Sequence, residues 1–283
     1  MANNAPLDSL LRQLAYPESP RWRDGLLWFS DVHNFRLKAC DLNGRLQVDM
    51  AVEERPAGLG FMPDGRLLMA TALGKRLHFV ADGKLQLAAD LSGLTRGLLN
   101  DMLVDDAGRA YVGDTGYDLG AGEPPRPGQI FLFEEGKGTR CVAQDVNFPN
   151  GMALTPDGQT LYVAETFAKK ITAFSVAPGG DLIERRDHAL LNGTPDGICL
   201  DEEGTLWVAT LTGGAFVRLD KRGQTIDSID VSPANSVACM LGGEGRNTLF
   251  LCFANVENDG SGGLRREGFI RAVKAPASGA GLP

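Results

Sequence analysis

A two-residue turn ending in glycine recurs six times along this chain. It is marked by Gly25, Gly65, Gly108, Gly158, Gly204 and Gly245, at intervals of 40, 43, 50, 46 and 41 residues. Four copies are plain to the eye: RPAGLGFMPDGRLLMAT from Arg55, LLNDMLVDDAGRAYVGD from Leu98, FPNGMALTPDGQTLYVAET from Phe148 and TPDGICLDEEGTLWVAT from Thr194. Weaker copies bracket them, YPESPRWRDGLLWFSD from Tyr16 and PANSVACMLGGEGRNTLFLCF from Pro233. Each copy is a short apolar run, the turn, and a second run alternating apolar with polar. That is a hairpin signal, because glycine takes the φ > 0 position the turn needs. Arg76 to Ala81, Gly128 to Phe133 and Ile171 to Val176 read as further strands between copies. A copy therefore holds about four strands, the content of one propeller blade of roughly 40–50 residues.

The repeat predicts an all-β chain: a six-bladed β-propeller of four-stranded antiparallel blades, one domain over residues 1–283. Residues 1–15 form a lead-in, where apolar Leu7, Leu10, Leu11 and Leu14 suit a short helix. The Gly-His and Trp-Asp marks of WD40 repeats are missing, so another propeller class is expected.

Composition narrows the partners. Lys+Arg 28 against Asp+Glu 36 gives a net charge of −8, with no basic run longer than a pair such as Arg265-Arg266. Such a chain lacks the electrostatic footprint of a nucleic-acid binder. No apolar run reaches the length that spans a bilayer, and the first twenty residues carry no secretory pattern. Five scattered cysteines, mostly inside apolar runs, read as buried hydrophobes of a reducing compartment. The expectation is a cytoplasmic protein acting on a small molecule, with its oligomeric state open.

The innermost strand of a propeller blade starts beside the central channel. Eight residues before the turn glycine stand Ala57, Asn100, Asn150 and Asp196; the first copy, with a one-residue gap, offers Glu18, and the sixth offers Asn235. Pro-Asn-Gly and Pro-Asp-Gly are common turn formers singly, but oxygen-bearing side chains at equal phase converge on one axis. Glu18, Asn100, Asn150 and Asp196 suit one hard divalent cation, Ca²⁺ first, with Mg²⁺, Mn²⁺ or Zn²⁺ as alternatives. His33, His78 and His188 share no phase, and no HxxxH or CxxC spacing exists, which argues against a dedicated zinc site. There is no GxSxG elbow, Walker A or GxGxxG. The half EF-hand pattern at Asn255 to Asp259 ends on Arg266 rather than Glu, and reads as a loop.

With these pieces in view, the chain resembles the SMP-30/gluconolactonase/LRE-like family of calcium-dependent six-bladed propellers. The likeness runs from the ESP element at Glu18 to Gly268-Phe269-Ile270 and includes the ND pair at Asn100-Asp101. It implies metal ligands at Glu18, Asn150 and Asp196, with Asn100 adjoining metal or substrate. It also implies a hydrolase that opens a lactone or similar cyclic ester, with Asp196 as base towards the attacking water and Asn100 beside it. Asp101 is expected to contact or orient groups at the substrate site. Where sugar lactonases of the family often carry an arginine, this chain has Leu98; with Leu99, Phe148 and Phe167 it makes the mouth more apolar than a polyol needs. Tyr117 lies on the loop that lengthens the third interval, near residues 116–128, and is expected with Leu98 and Phe148 on the substrate. Two alternatives stand beside the lactonase: another enzyme on the same fold, such as a phosphotriesterase-like hydrolase, lyase or isomerase, and a non-catalytic binding propeller.

Overall fold

In the computed structural model, which describes residues 9–258 and 264–281, six four-stranded antiparallel sheets form a β-propeller. Blade 1 comprises Pro17–Arg23, Leu26–Asp31, Arg36–Cys40 and Leu46–Ala51; blade 2 comprises Pro56–Phe61, Leu67–Thr71, Arg76–Ala81 and Lys84–Asp90. Blade 3 comprises Leu99–Val104, Arg109–Asp114, Gly128–Glu134 and Gly138–Val146. Blade 4 comprises Pro149–Leu154, Thr160–Glu165, Lys170–Val176 and Leu182–Leu190. Blade 5 comprises Pro195–Leu200, Leu206–Thr210, Ala215–Leu219 and Thr225–Asp230. All six repeat glycines have positive φ, from 62° to 94°.

Blade 6 joins the ends of the chain. Ser236–Gly242, Thr248–Asn258 and Leu264–Lys274 pair in order, and Ser9–Leu14 adds the outer strand. The helix expected over residues 7–14 is therefore corrected: from Ser9 onward the segment is extended and pairs with Leu264–Lys274, with Leu11 opposite Ile270. The leucine spacing fits one face of a helix, but six residues carry too little periodicity to outweigh an unpaired sheet edge that a strand can close. Asn255 to Asn258 likewise are not loop but hairpin arm, paired with Glu267 to Leu264; residues 259–263 lie outside the described set.

Side-chain burial follows distance from the axis. The inner strands Pro56–Phe61, Pro149–Leu154 and Pro195–Leu200 are buried throughout, whereas Thr225–Asp230 on the rim is mostly exposed. Between neighbouring blades, apolar faces interlock, as where Trp207 and Phe216 of blade 5 pack with Phe250 and Phe253 of blade 6. The five cysteines are free, and all but Cys141 are buried. No helix among the described residues is long and apolar enough to cross a membrane.

Candidate functional site

Every blade breaks register at the same place. Pairing between the first and second strands shifts after Glu18, Pro56, Leu99, Pro149, Pro195 and Ser236. A bulge of this kind bends the strand and re-aims a side chain. In blades 3, 4 and 5 the break falls on Asn100, Asn150 and Asp196. Unlike Pro63-Asp64-Gly65 and Pro156-Asp157-Gly158, which form hairpin turns, Pro149-Asn150-Gly151 and Pro195-Asp196-Gly197 are consequently strand starts. Their glycines serve close approach: a Cβ on Gly151 would lie 2.6 Å from both Asp196 O and Ile198 N. Gly151→Ala should therefore push blade 5 outward and destabilise the fold by roughly 1–3 kcal/mol, the usual cost of overpacking. It should also lower turnover, because Asp196 moves with its strand; thermal melts and rate assays on the variant check both.

Glu18, Asn100, Asn150 and Asp196 line one cavity of about 440 Å³ at the end of the channel where the inner strands begin. Leu98, Tyr117 and Phe148 line it too. Two expectations need correction. Asp101 does not line the cavity; its Oδ1 accepts from Ser19 Oγ at 2.8 Å, from Arg21 Nη2 at 2.8 Å and from its own Met102 N–H at 2.8 Å. Adjacent strand residues face opposite sides, and a carboxylate there can meet the guanidinium inside the channel. Asn235 is not at the cavity either. Its Nδ2 donates to Ala254 O at 3.2 Å, tying the sixth blade together.

Two oxygens at this site stand without a donor. Asn150 Oδ1 and Asp196 Oδ1 are buried and have no hydrogen-bond partner among the described residues. Buried polar atoms are ordinarily paired, and leaving one unpaired costs about 1–3 kcal/mol. The Asn150 amide is held through its other end, Nδ2 donating to Thr166 Oγ1 at 3.3 Å. Asn100 Nδ2 donates to Pro149 O at 3.1 Å, which leaves its oxygen for another partner. Ser19 N–H donates to Glu18 Oε2 at 3.2 Å.

Charge at the site is unbalanced. Glu18, Asp101 and Asp196 place three carboxylates in the channel against the single Arg21 guanidinium, leaving a formal −2. Burial, then Asp196 and Asp101, hold the Glu18 carboxyl well above its usual range. Burial, then Asp101, pushes Asp196 up to about 8, with Asn150 pulling it back. Tyr16, buried beside the pair, is raised by burial and by the charges of Asp196 and Glu18. A divalent cation would cancel this charge and take the orphaned oxygens as ligands. The donor set, all oxygen with no thiolate or imidazole, is that of a hard cation.

Family membership rests on most of the chain. The SMP-30/Gluconolactonase/LRE-like region matches residues 16–255. The chain belongs to the SMP-30/gluconolactonase/LRE-like family. A pentonolactonase of Haloferax volcanii is 27% identical over 253 residues, covering 87% of this chain and 84% of the relative. Among solved structures, a luciferin-regenerating enzyme superposes with a TM-score of 0.84 at 18% identity, covering 96% of each chain. A calcium-binding regucalcin of Agrobacterium tumefaciens gives 0.76 at 23% identity, covering 95% of each.

Several residues of the cavity escape sequence reasoning. Tyr16, His33, Arg55 and Thr166 line it from positions outside the strand-start phase. Burial, with Arg266 and Arg55 nearby, lowers His33 to about 4, so it is a neutral imidazole at neutral pH. Asp31, Asp114 and Glu165 stand behind the site. Asp31 Oδ1 accepts from Ala15 and Tyr16 N–H at 2.9 and 3.1 Å, Asp114 Oδ1 from Gly97 N–H at 2.9 Å, and Glu165 Oε2 from Asn147 N–H at 2.7 Å. Each carboxylate thus fixes the segment that leads into its own blade's inner strand. The signal was present: all three fall six or seven residues after the turn glycine.

Proposed function

We propose that the protein is a metal-dependent hydrolase opening a lactone or similar small cyclic ester. The observation that carries this reading is the pair of buried, partnerless oxygens on Asn150 and Asp196 at the floor of an apolar-walled cavity. The lactonase name of the Haloferax volcanii relative supports the substrate class, and the calcium-binding description of the regucalcin supports the choice of cation. Glu18, Asn150 and Asp196 would hold the ion, Ca²⁺ first, with Asn100 adjoining. A bound divalent cation supplies Lewis acidity for an ester carbonyl and lowers the pKa of a nearby water.

The chain's own groups supply the rest. Asp196 is the base that takes the proton of the attacking water, because its carboxylate has two oxygens: one can hold the ion while the other accepts the proton. Arg21 neutralises Asp101, which leaves Glu18 and Asp196 without an ion-pair partner among the described residues. Asn100, fixed through Nδ2, presents its oxygen to the cation or to a substrate hydroxyl. Leu98 and the aromatic groups beside it exclude water and favour a less hydroxylated ring than an aldonolactone.

A panel of sugar lactones, aryl lactones, aryl esters and phosphotriesters, assayed with EDTA and with Ca²⁺ restored, tests the reading. Lactone opening that disappears with EDTA and returns with Ca²⁺ is expected, with aryl lactones ahead of sugar lactones. Phosphotriester turnover without lactone turnover would replace it with the other hydrolase on this fold.

A further inference from the structure

The cavity above the cation site has two unlike walls. Blades 3 and 4 contribute Tyr117, Phe148 and Phe167, whose rings meet at centroid distances of 5.7 Å (Tyr117–Phe148), 4.9 Å (Phe148–Phe167) and 6.4 Å (Tyr117–Phe167). This wall is not closed over: Phe167 keeps 49% of its surface exposed. An aromatic cluster open to water on one side is a ready platform for another apolar group. Leu98 extends it.

On the side of blades 1 and 2 the lining is different. Arg55, in the segment leading into Pro56–Phe61, reaches the same cavity beside His33. Blade 6 brings a second positive charge, Arg266, close enough to depress the pKa of both. The carboxylate facing Arg55 is Asp118, but Asp118 Oδ1 is engaged by the Ala121 N–H of its own loop at 3.1 Å. Among the described residues Arg55 has no ion-pair partner within 4.0 Å. Half-burying a guanidinium beside another cation, with Asp118 as the nearby carboxylate and no ion pair among the described residues, is unfavourable. Exposed arginines of this chain can pair, as Arg66 does with Asp64 and Glu135, or stay in water unpaired; Arg55 differs in being half-buried in the cavity wall.

We propose that the substrate is amphipathic, with an anionic group paired to Arg55 while an apolar ring or chain rests on the Tyr117–Phe148–Phe167 wall. The anion would be a carboxylate, sulfonate or phosphate, whose planar or forked oxygens match a guanidinium. Arg55 and the aromatic wall stand on different sides of the cavity, so pairing at Arg55 fixes how the substrate is turned in it. The proposal rests on the lactonase reading only for the position of the reacting ester. Recognition at the two walls stands apart from turnover and is tested without it.

The test is calorimetric titration of the Ca²⁺-loaded protein with 2-phenylethanesulfonate and with its neutral partner, 2-phenylethanesulfonamide. A sulfonate is a poor calcium ligand, so direct capture by the ion does not mimic the effect. Wild type should prefer the sulfonate by roughly 10- to 100-fold, the span of a charge-assisted hydrogen bond. Arg55→Leu should abolish that preference and Arg55→Lys should keep part of it. Phe167→Ala should weaken both probes alike. Raising the ionic strength should shrink the preference in wild type alone. Equal affinity of the two probes in wild type, no measurable binding of the sulfonate, or a preference that survives Arg55→Leu would each overturn the proposal. Failure of every lactone assay together with a sulfonate preference lost in Arg55→Leu would overturn the lactonase reading and leave this one standing.

Discussion

Asp196→Asn should cost at least about 100-fold in turnover at saturating Ca²⁺, the scale of a lost general base. It should also weaken the affinity for the ion, because one of two formal negatives at the cavity is gone. The substitution keeps side-chain size, so neither cavity nor clash confuses the result. Its effect on cation-free stability should run the other way. Glu18 is held far above its usual range partly by the Asp196 charge. At pH 8 and above, where Asp196 is ionised, removing that charge relieves a buried repulsion, so the cation-free variant should melt at or above the wild-type temperature. Lower activity with undiminished stability separates a functional carboxylate from a structural one. Asn100→Ala, by contrast, should weaken substrate binding more than ion binding. Wild-type turnover in Asp196→Asn under saturating Ca²⁺ would remove Asp196 from the catalytic role.

The architecture was legible because the repeat carries its own phase. Gly65, Gly108, Gly158 and Gly204 mark the turns, and counting back eight residues lands on the bulged starts of four inner strands. Symmetry then does what a linear sequence cannot, bringing Glu18 and Asp196 to one cavity although 178 residues (196 − 18) separate them. The count failed where the repeat is irregular. In the sixth copy the glycine sits in a 3₁₀ turn, Glu244–Arg246, and the residue eight before it is the buried Val237 rather than an oxygen donor. Asp101 was misplaced for a different reason. Its neighbour Asn100 fixes the phase, but only the position of Arg21 in the channel decides which way an adjacent carboxylate is satisfied. Arg55, His33 and Tyr16 reach the cavity from connecting segments, where no periodicity constrains a side chain and the contact exists only after the ring closes.

The pH dependence of stability should reverse in meaning when the ion is added. In the cation-free protein Asp196 titrates near 8, while an unfolded aspartate titrates near 3.9. Between those values the folded chain holds a proton that the unfolded chain has lost, so ν_U − ν_N is about −1 and stability falls as pH rises. The slope for one such proton is at most about 1.4 kcal/mol per pH unit, and Glu18, also raised, acts in the same direction. EDTA-treated protein should therefore melt several degrees lower at pH 8 than at pH 5.5. Calcium binds the carboxylates in competition with those protons and only in the folded chain. At about 100 times its dissociation constant it should add roughly 2.7 kcal/mol, worth several degrees for a chain of this size. At a fixed Ca²⁺ concentration the gain should be large at pH 8 and small at pH 5.5, where the proton already occupies the site. Melting curves at the two pH values, each with EDTA and with Ca²⁺, measure all four corners. A melting temperature indifferent to Ca²⁺ at pH 8 would mean that the buried carboxylates are balanced by something other than a cation. A Ca²⁺ gain of equal size at both pH values would place the ion elsewhere on the protein, away from Glu18 and Asp196.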